Sequence, residues 1–198
     1  MDQLAALMTG LLARQAPPAN SAALASFWDI STRRAQAMVF LSHRLRLGEP
    51  DLAHPFGLFC DTGVPLLMER FTDYDATYGA ASLEPVRPFT ALEQERHQTS
   101  HAAVGCLLAR NWGLPEHVSW GILHHHDYAV LDDSATTWAV RSLVALSLLA
   151  GNAICRYQGH AASNEWNQGG AAACAHLGLS DEEMAELLDE LLDVFHED

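Results

Sequence analysis

Apolar residues recur at intervals of three and four along almost the whole chain, and this spacing is that of an α-helix. No segment of useful length alternates apolar and polar residues as a half-buried strand does, and no internal repeat is present. The chain has 198 residues, 49% of them hydrophobic, which is enough for one domain with a sizeable core. We therefore predict an all-α fold: a compact bundle of about eight to ten helices, formed by a single domain over residues 1–198.

Prolines, glycines and capping residues divide this pattern into segments. A helix is predicted over MDQLAALMTGLLAR, and after APPANS a long helix follows over about residues 21–47. The segment DTGVP is predicted to be a tight turn.

Two further predictions concern the second half of the chain. One unbroken helix is predicted from Thr90 to Trp112, which places His101 in mid-helix. The Gly-rich segment GHAASNEWNQGG is predicted to be an exposed connection, and the acidic segment LSDEEMAELLDELLDVF a final helix capped by Ser180.

Positive charge is scarce in this sequence. The formal net charge is −14 at pH 7, and all 11 basic residues are arginines. Nucleic-acid surfaces need basic residues to displace counterions, and anionic membranes attract basic segments, so we expect neither as a partner. The absence of lysine also excludes a P-loop, a Schiff-base enzyme and a lysine general base.

The cysteines and the apolar segments indicate a cytoplasmic protein. None of the four cysteines forms a C-x-x-C pair, and each lies in or beside an apolar stretch, as buried reduced thiols do. The apolar N-terminus lacks the basic region of a signal peptide, and Arg14 interrupts it. The segment TTWAVRSLVALSLLAGNAIC comes closest to a membrane span, but Arg141 and Asn152 break it.

A few polar residues stand inside otherwise apolar helical segments. They are Cys60-Asp61, His101, the run His124-His125-His126, and Asn152. Carboxylate and imidazole ligands suit zinc, iron or manganese, so these residues could converge on one metal ion. Spacing alone equally permits satisfied core histidines and helix caps, and it leaves the two interpretations open.

Several segments in a fixed order resemble the HD-domain superfamily. They are FWDISTRRAQAM, GLFCDTG, ERHQTSHAAVGCLLARNWGLP, GILHHHD and LLAGNAICR, and HAAVGCLLARNWGLPEHV is the most specific piece. More narrowly, the chain is similar to the HDOD branch of bacterial signalling proteins from about residue 25 to residue 195. This resemblance implies an HD-like helical bundle and a role in signal transduction. It also implies that the family's usual upstream helical segment is missing.

The metal-binding positions of active HD enzymes are only partly kept. The resemblance places Ile30 at the early histidine, Cys60 and Asp61 at the His-Asp pair, and His101 at the next histidine. His125 takes the following position, with His124 as the alternative register, and Asn152 replaces the final aspartate. Isoleucine cannot bind a metal and asparagine is uncharged, so two ions would hardly be held.

The resemblance therefore implies a degenerate pocket without catalytic residues and with no cofactor expected. A single zinc, iron, manganese or nickel ion could bind Asp61, His101 and His125, with Cys60 or Asn152 as a poor fourth ligand. The histidine run is interpreted as the relic of a metal site. The alternative is one inward histidine bonded to Asp61 or Asn152, with two facing solvent.

Three functions follow as hypotheses. The first is a non-catalytic regulatory module that contacts other signalling proteins, for which the acidic final helix and an exposed Trp166 are candidate surfaces. The second is a metal-dependent phosphohydrolase with a reduced one-metal site, in which His124 or His126 acts as acid or base. The third is a nucleotide sensor. A homodimer is compatible with the sequence, but no feature demands it.

Overall fold

The computed structural model of the protein describes residues 21–47 and 50–196, so the helix predicted over MDQLAALMTGLLAR lies outside the described residues. The described residues contain helices and turns but no strand, which confirms the all-α class. The α-helices, numbered along the described chain, are α1 (Ser21–Arg44), α2 (Pro50–Phe59), α3 (Gly63–Arg70), α4 (Tyr74–Ser82), α5 (Phe89–His97), α6 (His101–Asn111), α7 (Glu116–His124), α8 (Trp138–Tyr157), α9 (Asn164–Leu177) and α10 (Asp181–His196). A 3-10 helix, Tyr128–Leu131, lies between α7 and α8.

Helix α8 is the centre of the bundle because it is apolar on most of its surface. Helices α1, α2, α7, α9 and α10 pack against it, and most residues from Val140 to Ile154 are buried. Complete burial of a side chain such as Leu149 contributes about 1.5–3 kcal/mol. By length and hydropathy α8 could span a membrane, yet 67% of its most apolar window is buried in the bundle, as in the core helix of a soluble protein.

The segment from Thr90 to Trp112, predicted as one helix, is divided into α5 and α6. Gln98 adopts a left-handed conformation with φ 56° and ends α5. The Ser100 hydroxyl then caps α6 by accepting a hydrogen bond from the backbone N–H of Ala103 at 3.2 Å. The prediction of a mid-helix His101 is therefore wrong, because His101 is the first residue of α6.

The segment DTGVP, predicted as a turn, contains the start of α3. The helix begins at Gly63, and Pro65 lies in its first turn, where the missing N–H of proline is not needed. A Cβ built on Gly63 would lie 2.1 Å from the carbonyl oxygen of His101. Helices α3 and α6 can therefore approach this closely only because residue 63 has no side chain.

The segment GHAASNEWNQGG, predicted as an exposed connection, contains the first half of α9. The helix begins after Ser163, whose hydroxyl accepts a hydrogen bond from the backbone N–H of Trp166 at 3.1 Å. Trp166 packs against the core, which corrects its assignment as an exposed contact residue. Gly169 and Gly170 are buried in α9, and Gly169 lies against the ring of Tyr128, so these two glycines serve close packing rather than a loop.

The first turns of α9 also hold the loop that joins α4 to α5. The side-chain amide of Asn164 donates to the Ser82 carbonyl at 3.2 Å. The side-chain amide of Gln168 donates to the Glu84 carbonyl at 3.1 Å. This half of α9 is thereby connected to residues 82–84 at the start of the loop.

We expect Gly63→Ala to destabilise the protein by about 3 kcal/mol or more, because the added Cβ fits only if the α6 backbone moves. Gly79→Ala is the matched control, since Gly79 is exposed in α4 and an added Cβ meets nothing within 4 Å. Alanine there is expected to stabilise the helix by about 0.5–1 kcal/mol. Urea denaturation measures both changes, and a Gly63→Ala protein as stable as the wild type would contradict the close α3–α6 contact.

Candidate metal centre

Four potential metal ligands from three parts of the chain meet in the interior. Asp61 lies in the turn after α2, His101 begins α6, and His125 and His126 form the turn after α7. Each offers one ligand atom, and these four atoms lie within 4.8 Å of one another. Adjacent residues on a helix do not face the same side, so the end of α7 at His124 is what lets two neighbouring histidines converge.

Four of the six separations between the donor atoms are close to those of a tetrahedral site, and all six lie within 4.8 Å. Nε2 of His101 lies 3.3 Å from Nε2 of His125 and 2.9 Å from Nε2 of His126. Oδ1 of Asp61 lies 3.2 Å from Nε2 of His125 and 3.7 Å from Nε2 of His101. With zinc–ligand bonds of about 2.0–2.1 Å, the ligands of a tetrahedral ion lie about 3.3–3.4 Å apart. These four separations are therefore within about half an ångström of that geometry.

The other nitrogen of each imidazole is already engaged. Nδ1 of His101 donates to the Glu93 carboxylate at 2.8 Å, and Nδ1 of His125 donates to the Ile122 carbonyl at 2.6 Å. Nδ1 of His126 donates to the Glu165 carboxylate. A proton on Nδ1 leaves the Nε2 lone pair directed at the centre of the site. Partners of this kind fix the ring and the tautomer of metal-binding histidines.

Glu93 is the most deeply buried acid of the site, with no exposed surface. Its carboxylate also accepts hydrogen bonds from the backbone N–H of His101 and from the hydroxyl of Tyr74. Burial raises the pKa of Glu93, but the hydrogen bond and charge of His101, with the Tyr74 hydroxyl, outweigh it and lower the pKa. Glu93 therefore stays ionised and holds the start of α6 in place.

The second oxygen of Asp61 is bound by an arginine. Nη1 of Arg34, on α1, forms an ion pair with Oδ2 of Asp61 and also contacts Sγ of Cys60. Burial raises the pKa of Asp61, yet the Arg34 guanidinium, together with His125 and His101, outweighs it and holds that pKa well below its usual range. Burial raises the pKa of the Cys60 thiol to about 12 despite the same guanidinium, so Cys60 is a neutral thiol.

The charges that contact the site fit one divalent cation. Asp61, Glu93 and Glu165 carry three negative charges, and Arg34 supplies one positive charge. With neutral histidines two negative charges stay unbalanced, and buried charge without a partner is costly. One divalent ion, or protons on the histidines, restores the balance. By donor type, spacing and charge, the residues fit zinc, iron, manganese or nickel.

A small cavity of about 60 Å³ is lined by three of the four ligand residues, Asp61, His125 and His126. Tyr78 on α4 and Phe89 on α5 also line it, and the centroids of their rings lie 4.9 Å apart. Ser163 and Glu165 line it from the start of α9. This volume holds about two water molecules.

The structure brings together Asp61, His101 and His125, which the sequence singled out. His124, the alternative register, lies outside the site, with its Nδ1 3.7 Å from the carboxylate of Asp127. Two of the three consecutive histidines point inward and one outward. The alternative, with one inward and two solvent-facing histidines, is therefore wrong.

The other predicted positions lie around the site rather than in it. Cys60 is buried beside Asp61 and contacts Arg34, while Asn152 is buried in α8 and does not line the cavity. Ile30 does not line the cavity either, but Arg34, one helical turn later, does. Long side chains on a helix point back toward its N-terminus, which lets Arg34 reach the level of residue 30.

The sequence analysis did not predict the roles that four residues have in this site. His126 was weighed only as an acid or base, and Arg34, Glu93 and Glu165 were not weighed at all. Glu93 and Glu165 lie in segments interpreted as an unbroken helix and an exposed connection. A helix break at the QTS segment, which ends at the capping Ser100, is the one sequence signal that could have brought Glu93 near His101.

We expect His126→Ala to lower the affinity for a divalent ion by about 10- to 100-fold or more, because it removes one of four ligands. His124→Ala is the matched control and is expected to leave the affinity unchanged, since His124 lies outside the site. Calorimetric titration of untagged protein with Zn²⁺ measures both. Equal losses in the two variants would mean that the histidine run binds metal at the surface.

A second prediction concerns acid stability of the metal-free protein. Burial opposes ionisation of Glu165, but the charge of His126 and the hydrogen bonds from His126 and Tyr128 lower its pKa from 4.5 to about 2. A depressed carboxyl pKa stabilises the fold above pH 4.5, and that stability is lost as the pH falls toward 2. Glu165→Gln is expected to cost about 1 kcal/mol at pH 5–6 and to flatten the pH dependence below that.

The measurement is urea denaturation in the presence of a chelator, at several pH values between about 3 and 6. Glu69→Gln, at an exposed position of α3, is the control for the loss of one negative charge. If Glu165→Gln and Glu69→Gln show the same acid profile, the His126–Glu165 pair contributes nothing to it.

Comparison with known proteins agrees with the helical fold. Residues 1–128 match the family model of the HDOD domain, whereas no curated protein sequence is significantly similar to the chain. Three solved structures are similar, each with a TM-score of 0.63. A protein provisionally described as a signal transduction protein, from Marinobacter aquaeolei VT8, is 21% identical, with 84% of this chain and 36% of that chain covered.

A protein provisionally described as a phosphohydrolase, from Shewanella amazonensis SB2B, is 20% identical, with 85% of this chain and 59% of that chain covered. An HDOD domain protein of unknown function from Geobacter sulfurreducens is also 20% identical, with 88% and 60% covered. This chain thus spans between 36% and 60% of the length of these proteins, and at such identities the likeness shows the fold. Because the family model matches more than half of its residues, the chain belongs to the HDOD domain family.

Proposed function

We propose that the protein is a non-catalytic signal-transduction module that acts through contacts with other signalling proteins. One observation carries this proposal: four protein donors close around a single ion position. Catalytic zinc sites keep one coordination position open for water or substrate, whereas structural sites have four protein ligands. The set of Asp61, His101, His125 and His126 has the composition of a closed site.

An ion held by these four side chains would supply a positive centre that joins the turn after α2, the start of α6 and the turn after α7. Each of the four residues then has a structural role. Asp61 and the three imidazoles hold the ion, while Glu93 and Glu165 orient two of the rings. The site would serve the shape of the bundle and thereby the surface that it presents.

The size of the cavity supports the same interpretation. Pockets that bind small molecules enclose about 300–1,000 Å³. The 60 Å³ beside the four donors is too small for a nucleotide or for the organic part of a phosphoester. Both the hydrolase and the nucleotide sensor would need a larger cavity, and therefore a displacement of residues that line it.

The partner is proposed from the family and from surface chemistry. A protein provisionally described as a signal transduction protein is among the proteins of similar fold. The chain carries a net charge of −14, and the first turn of α10 is acidic, at Asp181, Glu182 and Glu183. A protein partner with a basic contact surface fits this charge, and a cytoplasmic location fits such a role.

We expect no hydrolysis of phosphomonoesters or phosphodiesters by untagged protein loaded with zinc, iron, manganese or nickel. The rates with chromogenic substrates are expected to equal those of the His101→Ala variant at the same metal concentration. The comparison cancels hydrolysis by free metal. Turnover in the wild type that exceeds the blank and disappears in His101→Ala would overturn the proposal and support the one-metal phosphohydrolase.

A further inference from the structure

Arg34 is the one cationic side chain among the residues that line the cavity beside the candidate metal centre. Its Nη1 contacts both residues at the position of the His-Asp pair, namely Oδ2 of Asp61 and Sγ of Cys60. Its guanidinium reaches back along α1 toward the turn that holds Ile30, where the resemblance places the early ligand. One guanidinium thus binds the retained Asp61 and the cysteine at the lost histidine position, as a cation would.

We propose that Arg34 is a built-in cation that occupies the place of a second metal ion and limits the site to one ion. This inference rests on the proposed closed site for the first ion. It adds the residue that sets the stoichiometry and decides which ions can bind.

The division of the Asp61 carboxylate between two partners supports this assignment. Oδ1 faces the imidazoles, 3.2 Å from Nε2 of His125, and Oδ2 faces Arg34. A carboxylate shared in this way is typical of a bridge between two cations, here one ion position and one guanidinium. Arginine keeps its charge at every physiological pH, so its positive charge is permanent.

The Arg34–Asp61 ion pair is mostly buried, and its positive charge excludes a second ion. The side chains of Arg34 and Asp61 are 17% and 14% exposed, so water screens their interaction poorly. A second divalent ion at this place would be repelled by the guanidinium, whose positive charge is permanent. Removal of Arg34 leaves Oδ2 of Asp61 and Sγ of Cys60 without their cation, and this oxygen and sulfur are two donors for a borderline divalent ion.

The test compares Arg34→Gln with the wild type by titration with Co²⁺, followed by ions bound per chain and by near-ultraviolet absorption. We expect the wild type to bind one ion without a thiolate-to-cobalt charge-transfer band. Arg34→Gln is expected to bind two ions and to show the band, because the second ion binds Cys60 and displaces the thiol proton to the buffer. The double variant Arg34→Gln with Cys60→Ala is expected to lose the band.

Two controls separate this effect from a general loss of positive charge. Arg34→Lys keeps a charge at the position and is expected to bind one ion without the band. Arg44→Gln removes an arginine from the exposed end of the same helix, where it pairs with Glu190, and is expected to behave as the wild type. One ion and no band in folded Arg34→Gln, or a band that persists without Cys60, would overturn the proposal.

The remaining outcomes are also decisive. If Arg34→Gln is unfolded as purified, added Co²⁺ is expected to restore its helical circular dichroism, and failure to do so at saturating ion contradicts the proposal. If the wild type binds no ion, the closed first site fails. In that case a thiolate band in Arg34→Gln would still support the proposal that Arg34 takes the place of an ion, and the absence of the band would refute it. Phosphoesterase activity of the wild type would overturn only the non-catalytic function.

Discussion

The interior of this bundle depends on buried carboxylates that need positive partners. Glu93 is wholly buried and Asp61 nearly so, and an unpaired charge in such surroundings costs several kcal/mol, about 3–5 kcal/mol when one partner of a buried pair is removed. The chain meets this requirement by bringing helix ends together. Turns after α2 and α7 and the start of α6 deliver the imidazoles and Asp61, and α1 delivers Arg34 from its middle. The packing of these elements is therefore tied to the charge at their meeting point.

The fold class was predictable because helical periodicity survives along the whole chain. The apolar segment that becomes α8 could be identified as a helix from its sequence alone, although not as the centre of the bundle. The three errors in helix extent arose at short breaks, where Gln98 adopts a left-handed conformation and where α3 and α9 begin after Thr62 and Ser163. Such breaks cost little in local propensity and are decided by tertiary contacts, which a single sequence does not display.

The candidate site was predictable only in part, for the same reason. Asp61, His101 and His125 were placed by the resemblance to known segments, and the structure does bring them together. Glu93 comes within reach of His101 only because the helix breaks between them. Glu165 reaches His126 because it lies in the first turn of α9, in a segment that was predicted to be a connection. Arg34 could not be distinguished from Arg33 by sequence, yet only Arg34 faces the cavity. The direction of a side chain on a helix depends on which face its neighbours cover.

The first half of α9 contacts both the site and the loop after α4. Glu165 bonds His126, while Asn164 and Gln168 bond the carbonyls of Ser82 and Glu84. Local unfolding occurs in roughly contiguous cooperative units, so we expect α9 and the loop bonded to it to open together. Amide protons in α9 and in the bonded loop are therefore protected from exchange by the same event. Whatever fills the site then determines how often a distant stretch of surface becomes accessible, without any change in the average position of its atoms.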